Sequence, residues 1–400
     1  MQKLSYNCQS DVKYALRITR QIMIVLGVWP SSSIKNTTYE RFVKFLLLVV
    51  SQVMLTCTLI PNVFFWLMEK ETRVRLRMFP SIVFGVVVSG KFGNLILRQN
   101  QLRHCLKYLE KDWKTIGTSS ARGVMLETAE IGRRLVAICA AFLYSSGMCF
   151  AAILPLTREK LYDENNNTLR QLPYPAYLFS LNTHASPVFE ILYAIQSMGG
   201  MIALLVSMAA CGLVIVFVMH ACGQLRILMD LMQSFVDEWR DEQEIDKKLA
   251  NLVDHQTRLR NFVQSVQLTM QQICLMEVAG STLLLCILGY LMIMEWENSN
   301  AIAMCSYFVS LATAVVNMFM YCYTGEQLIV QAEKAAVMSC ELEWYRLPDR
   351  KARTIVLVMI VSNISTKISA GNIFNLSFKT FGDILKTSAA YFNMLRNVTA

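Results

Sequence analysis

Long apolar stretches separated by charged ones set the rhythm of this chain. Residues 45–68, 135–156, 191–219 and 301–325 contain no Asp, Glu, Lys or Arg. Each reaches or exceeds the roughly 20 residues that carry a helix across a bilayer's hydrocarbon core. Two further apolar runs are each interrupted once, 78–97 by Lys91 and 273–294 by Glu277. A last segment, Phe378 to Arg396, has 19 residues, roughly 28 Å as a helix, yet carries Lys379, Asp383, Lys386 and Arg396. The pattern predicts an all-α membrane protein with seven transmembrane helices. Lys91 either faces the bundle interior or snorkels toward the headgroups from near its helix end, and the pattern leaves both open. Trp66 and Trp296 fall where an aromatic belt is expected.

The polar segments carry helical periodicity of their own. Asp11 can cap a short helix with Val12, Ala15, Leu16 and Ile22 on one face, ending by Pro30 and lying along the membrane surface. Between the fourth and fifth spans, Asp237, Glu238, Asp241, Glu242, Glu244 and Asp246 precede Lys247 and Lys248. Beyond them Leu249, Leu252, Val253, Leu259, Phe262, Val263 and Val266 recur at three- and four-residue spacing. The fourth and fifth helices are therefore expected to extend out of the membrane as a hairpin, whose apolar stripe needs a partner in this chain or in another subunit. The resulting organisation is 1–41, an N-terminal segment with an interfacial helix; 42–220, transmembrane helices 1–4; 221–272, a helical extension; 273–325, helices 5 and 6; 326–376, an anchor segment; and 377–400, the last helix and tail.

Charge gives the orientation. Segments 1–41, 98–134, 221–272 and 324–367 hold 26 Lys and Arg, whereas the alternate loops 67–77, 157–187 and 295–300 hold 7. By the positive-inside bias the N-terminus is cytoplasmic and the C-terminus extracellular, opposite to a G-protein-coupled receptor. With 54% hydrophobic and 17% charged residues, a soluble domain is excluded. The net charge of +9 sits on one side of the membrane, so it is read as topology and attraction to anionic lipid, and no nucleic-acid partner is expected. All 12 cysteines lie in spans or on the predicted cytoplasmic side, which argues for reduced thiols. No CxxC pair or histidine cluster suggests a metal, and no phosphate loop, nucleophile elbow or HExxH helix suggests an enzyme or a cofactor. No cleavable signal peptide is expected ahead of the first run. Asn166, in the long 157–187 loop, is the glycosylation candidate; Asn397 heads a second outer sequon, while those at Asn36, Asn363 and Asn375 should stay unused.

The last segment is too polar to face lipid. At 100° per residue, a helix turned with Met394 toward an axis brings Asp383, Thr387, Ala390, Tyr391, Asn397 and Val398 within about 60° of it and turns Arg396 away by about 160°. Such a stripe suits a pore helix repeated about a symmetry axis, with an acidic ring favouring cations and an apolar constriction. It also suits an amphipathic helix buried within one subunit, and the residues alone leave both open.

At these residues the chain resembles a known family. FKTFGDILKTSAAYFNMLRNV (Phe378 to Val398) is similar to the C-terminal signature of insect odorant receptors. YCYTGEQL (Tyr321 to Leu328), EWYRLP (Glu343 to Pro348) and SAGNIFNLS (Ser369 to Ser377) follow the same family's order and spacing, and SPVFEILY (Ser186 to Tyr193) and HACGQLRIL (His220 to Leu228) extend the similarity. The first half matches only in span layout and in Lys91. The gustatory receptors' Thr-Tyr and Gln-Phe ending is missing, and Cys211 stands where many members are expected to have Asp.

The resemblance implies a heteromeric, odorant-gated, non-selective cation channel in the plasma membrane of olfactory neuron dendrites. There a tuning subunit and a shared co-receptor form a tetramer around a pore lined by the last helix. The co-receptor's long insertion before the fifth span is missing here, which points to a tuning subunit. It also implies a small volatile ligand in an apolar pocket between the second, third, fourth and sixth spans. Depth in the bundle then nominates Val83, Phe84, Val87, Tyr144, Met148, Tyr193, Gln196, Met201, Met304, Tyr307 and Phe308, with tyrosine hydroxyls and Gln196 orienting the ligand. The pore and gate set is Asp383, Thr387, Tyr391, Met394, Asn397 and Val398. A metabotropic seven-helix receptor and a small-molecule transporter are the competing readings. Reversed topology counts against the first and an odd span count against the second.

Overall fold

The computed structural model describes residues 8–30, 38–149, 172–175, 177, 186–237, 242–297 and 301–399. The helices in these residues are α1 (Cys8–Val25), α2 (Thr38–Met68), α3 (Thr72–Leu97), α4 (Gln99–Thr115), α5 (Ser119–Met148), α6 (Val188–Asp237), α7 (Glu242–Glu297), α8 (Ala301–Cys340), α9 (Asp349–Ser362) and α10 (Phe378–Thr399). A 3-10 turn at Trp344–Arg346 precedes α9, and a short hairpin of β1 (Ser369–Ala370) and β2 (Phe374–Asn375) precedes α10.

Residue type sorts these helices by depth. In α6 the whole circumference is apolar, and Val206, Leu213 and Val214 on one side and Cys211, Ile215 and Val218 on the other are all buried, which makes it the central post. At the periphery, α2 turns Phe42, Phe45, Leu46, Val49, Val53 and Ile60 outward, an exposed apolar face suited to lipid. Five helices, α2, α3, α6, α7 and α8, are long and apolar enough to cross a membrane by composition alone. Helix α10 carries the four charges already noted, and only the first part of the charge-free 135–156 run, as far as Cys149 just beyond α5, lies among the described residues. Both nevertheless pack into the same bundle, α5 against α6 and α8, α10 against α7 and α8.

With 50 and 56 residues, α6 and α7 are about 75 and 84 Å long, more than twice the hydrocarbon thickness of roughly 30 Å. Their extensions meet α1, α4 and α9 at the end of the bundle where the basic segments gather. The stripe's partner lies within the chain: Leu249, Leu252, Leu259, Phe262 and Val266 are buried, and the Phe262 ring lies 5.1 Å from that of His220 and 6.2 Å from that of Phe217. Helix α4 is absent from the sequence expectation, although Leu102, Cys105, Leu106, Leu109 and Trp113 recur at helical spacing and are all buried. It delivers Asp112, whose carboxylate meets His220 Nε2 at 3.1 Å, with both side chains buried. Helix α1 already includes Cys8, so Asp11 lies inside it rather than capping it. The Asp11 carboxylate instead accepts two hydrogen bonds from Arg122 of α5, at 2.7 and 3.0 Å.

The hairpin seats α10. Gly371 and Asn372 both take φ of +60°, the left-handed region open to Gly and tolerated by Asn, and Ile373 N–H donates to Ala370 O at 3.0 Å to close the turn. Gln267 of α7 clasps this turn, accepting from Ser369 N at 2.8 Å and donating to Ser369 Oγ at 2.5 Å. The next residues lie across α8 at Gly325, where a Cβ would come within 2.3 Å of Leu376 O, so only glycine allows the approach. Glu326 then accepts from Phe378 N–H at 3.0 Å, satisfying one of the free donors at the start of α10. The TGEQ and SAGNIFNLS motifs are thus two halves of one joint.

Candidate functional site: a roofed cavity with a charged floor

A cavity of about 380 Å³ opens between α3, α5, α6, α7 and α8. From Pro80 to Lys91 it follows α3 for about 16 Å. Of the residues nominated by depth, Phe84, Val87, Tyr144, Met148, Gln196 and Met201 line it together. Val83 is buried beside it, Tyr307 is buried in a satellite cluster with Leu288, Leu291 and Ala303, Tyr193 and Phe308 are exposed, and Met304 is half-buried away from the wall. The fifth span, α7, forms a further wall through Glu277, Gly280, Ser281, Leu284 and Leu288, beyond the second, third, fourth and sixth spans expected from sequence. The juxtaposed Gly280 and Ser281, small residues one turn from the lone acid of that span, were the available signal.

Lys91 answers the question left open by the sequence. It is 1% exposed and pairs with the Glu277 carboxylate, so the single charges of the second and fifth spans neutralise each other in the bundle. Glu277 also accepts from Ser281 Oγ at 2.9 Å and from Asn317 Nδ2 at 2.6 Å, and all four side chains line the cavity. This cluster is the floor. It binds α3, α7 and α8 at one level, a contact worth having only because every charge in it has a partner. One residue beyond Ser281, the Thr282 carbonyl accepts from Ser388 Oγ of α10 at 3.3 Å, so the floor and the last helix share a wall.

The roof is the Leu172–Pro175 segment, with Pro173 and Tyr174 facing the cavity. Gln196 holds it from α6: its Oε1 accepts from Tyr174 N–H at 3.0 Å, and its Nε2 donates to Tyr174 O at 2.7 Å. Gln196 is thereby occupied with backbone, which gives it the role of a clip rather than of a ligand-orienting group. Along the walls, Ser81 donates to Met78 O at 2.7 Å, Ser146 to Ser310 Oγ at 3.2 Å, Ser310 to Ser306 O at 2.9 Å and Thr313 to Val309 O at 2.8 Å.

Helix α10 shows a divided surface. Ile384 and Ser388 are buried, Phe381 and Phe392 are half-buried, and Phe319 of α8 stacks on Phe378 at 6.0 Å and meets Phe381 edge-on at 5.5 Å. This seated face lies about 125° around the helix from Met394. Asp383, Thr387, Ala390, Tyr391 and Met394 are exposed, the last two by 55% and 62%. Asn397 and Val398 lie on the same helix, with side chains outside the described residues; Asn166 lies outside them altogether. At the expected Asp position Cys211 is buried, and its thiol lies 3.5 Å from that of Cys139. Among the described residues no cluster of His, Cys, Asp and Glu could hold a metal.

A membrane helix bundle enclosing a roofed, mostly apolar cavity has the form of a small-molecule binding site. The chain belongs to the 7tm odorant receptor family, whose description matches residues 71–389. It is 20% identical over 239 residues to odorant receptor 10 of Aedes albopictus, covering 58% of this chain and 61% of that one. Against odorant receptor 13a of Drosophila melanogaster it is 22% identical over 339 residues, 78% of each chain. It spans 60% and 58% of the odorant receptors 30a and 22c of Drosophila melanogaster that it matches. The structure of olfactory receptor OR5 from Machilis hrabei in complex with eugenol superposes with a TM-score of 0.77 at 13% identity, covering 97% of this chain and 100% of that one. Without eugenol the same receptor gives 0.75. The seven-span fold is therefore that of an insect odorant receptor.

Proposed function

We propose that this chain is the odorant-binding tuning subunit of a ligand-gated, non-selective cation channel. It assembles with the family's co-receptor into a heteromeric tetramer in the plasma membrane of olfactory neuron dendrites, with the basic end of the bundle in the cytoplasm. A small volatile molecule occupies the roofed cavity and shifts a closed–open equilibrium. The observation that carries the reading is the unseated face of α10: a stripe with an acid, a threonine and a tyrosine is costly against lipid and calls for water or neighbouring subunits. Around a symmetry axis, Asp383 supplies an acidic ring and Met394, with Val398, an apolar constriction, while Asn397 borders it. The contact of Ser388 with Thr282 gives the cavity a short physical route to that stripe.

Co-expression with the co-receptor in cells lacking other receptors, with patch recording during a volatile panel and no added nucleotide, tests the proposal. A fast cation current needing both chains is expected, with Asp383→Asn lowering cation preference. A second-messenger response without current, at verified surface expression, overturns it in favour of a metabotropic receptor.

A further inference from the structure

We infer that the cavity selects neutral molecules that donate a hydrogen bond, alcohols or phenols, with the hydroxyl seated on the Glu277–Asn317 floor and the hydrocarbon body toward Phe84 and Met201. This deepens the proposed function and rests on its placement of the ligand. The argument is an inventory of protons. The hydroxyl protons of Ser81, Ser146, Ser281, Ser310 and Thr313 are already given away, and both halves of the Gln196 amide hold the roof. A hydroxyl whose proton is engaged still offers lone pairs, so these five present acceptors, beside the Tyr144, Ser197 and Ser207 hydroxyls that line the same cavity. On the floor, Glu277 takes three donors, from Lys91, Ser281 and Asn317, which leaves capacity for one more. Asn317 Oδ1 is a buried carbonyl oxygen with no partner among the described residues. A buried acceptor left unpaired carries its full desolvation cost, and a ligand hydroxyl relieves it; an ether or ester oxygen can accept from the Lys91 ammonium but leaves Asn317 Oδ1 unpaired.

Charge excludes the other donors. A protonated amine meets the Lys91 ammonium and a carboxylate meets Glu277, so the mutually neutralised pair favours a ligand without charge.

The test uses the full chain in lipid nanodiscs and measures thermal stabilisation by a panel of medium-chain alcohols, terpene alcohols and simple phenols. Each is paired with its own methyl ether. At least one hydroxyl compound is expected to bind about tenfold more tightly than its ether, the size of one good hydrogen bond to a charged or buried acceptor. Asn317→Ala should close that gap. Ethers binding as well as alcohols, or no stabilisation by any hydroxyl compound, overturn the inference. The readout is independent of gating: alcohol-selective binding without current in the co-expression assay fails the channel proposal and leaves this one standing. The wild-type comparison of matched pairs stands even if the Asn317 variant does not fold.

Discussion

Breaking the Lys91–Glu277 pair is the sharpest perturbation of the bundle. Both side chains are almost wholly buried, 2% and 5% exposed, so neither charge can turn to water once its partner is removed. Lys91→Met leaves a carboxylate with two neutral donors, and Glu277→Gln leaves an ammonium facing an amide. Each should cost about 3–5 kcal/mol. The double variant keeps the Ser281 and Asn317 contacts to the Gln amide and buries no charge, so it should come within about 1–2 kcal/mol of the parent. The singles then sum to at least about 4 kcal/mol more than the double, a coupling set by direct contact. At roughly 2 °C per kcal/mol, each single lowers the unfolding temperature of the tagged, solubilised chain by about 6–10 °C and the double by about 2–4 °C. Single variants indistinguishable from the parent, or a double no better than the worse single, refute the reasoning.

Gly325→Ala drives a Cβ into Leu376 and should cost about 1–3 kcal/mol by lifting the α10 joint. Limited proteolysis between α9 and α10 then precedes cutting elsewhere, and an unchanged digestion pattern counts against the joint. Gln196→Leu removes both bonds to Tyr174, about 2 kcal/mol, and should speed ligand dissociation tenfold or more, read as current decay after washout. Burial pushes the His255 imidazole down from its ordinary 6.5, more than its hydrogen bond to Gln224 O raises it. The unfolded chain therefore takes up this proton first, and stability falls as pH drops below about 6.5; His255→Gln should flatten that part of the melting profile. Met394→Ala should widen a constriction and raise leak current in the assembled channel, and unchanged gating removes Met394 from the gate.

Six spans are legible because their charges are few and their lengths near that of a bilayer, and α10 because polar and apolar residues separate cleanly around one helix. What periodicity does not give is the rotation of one helix against another. Lys91 and Glu277 each stand out in sequence, but their pairing depends on how α3 and α7 face each other. The same limit separates Phe84, on the cavity wall, from Val83, about 100° around the helix and turned away. Helix α4 is legible in its apolar spacing, although charged residues dominate its segment. The Gln196 clip had no signal at all, since its partner is loop backbone.

The seat of α10 is assembled from Gln267 and Thr282 of α7, Gly325 and Glu326 of α8, and the hairpin just before it, parts scattered over more than a hundred residues. Contacts between distant parts of a chain form late, after local helices and hairpins. Order of assembly follows from that. The helix with the weakest claim to a bilayer has nowhere to settle until the sixth span and the hairpin are in place, and until then its lysines and aspartate are exposed to whatever surveys unfinished membrane proteins. Damage to the joint should thus surface first as retention during biogenesis, in a chain whose other six spans have folded normally.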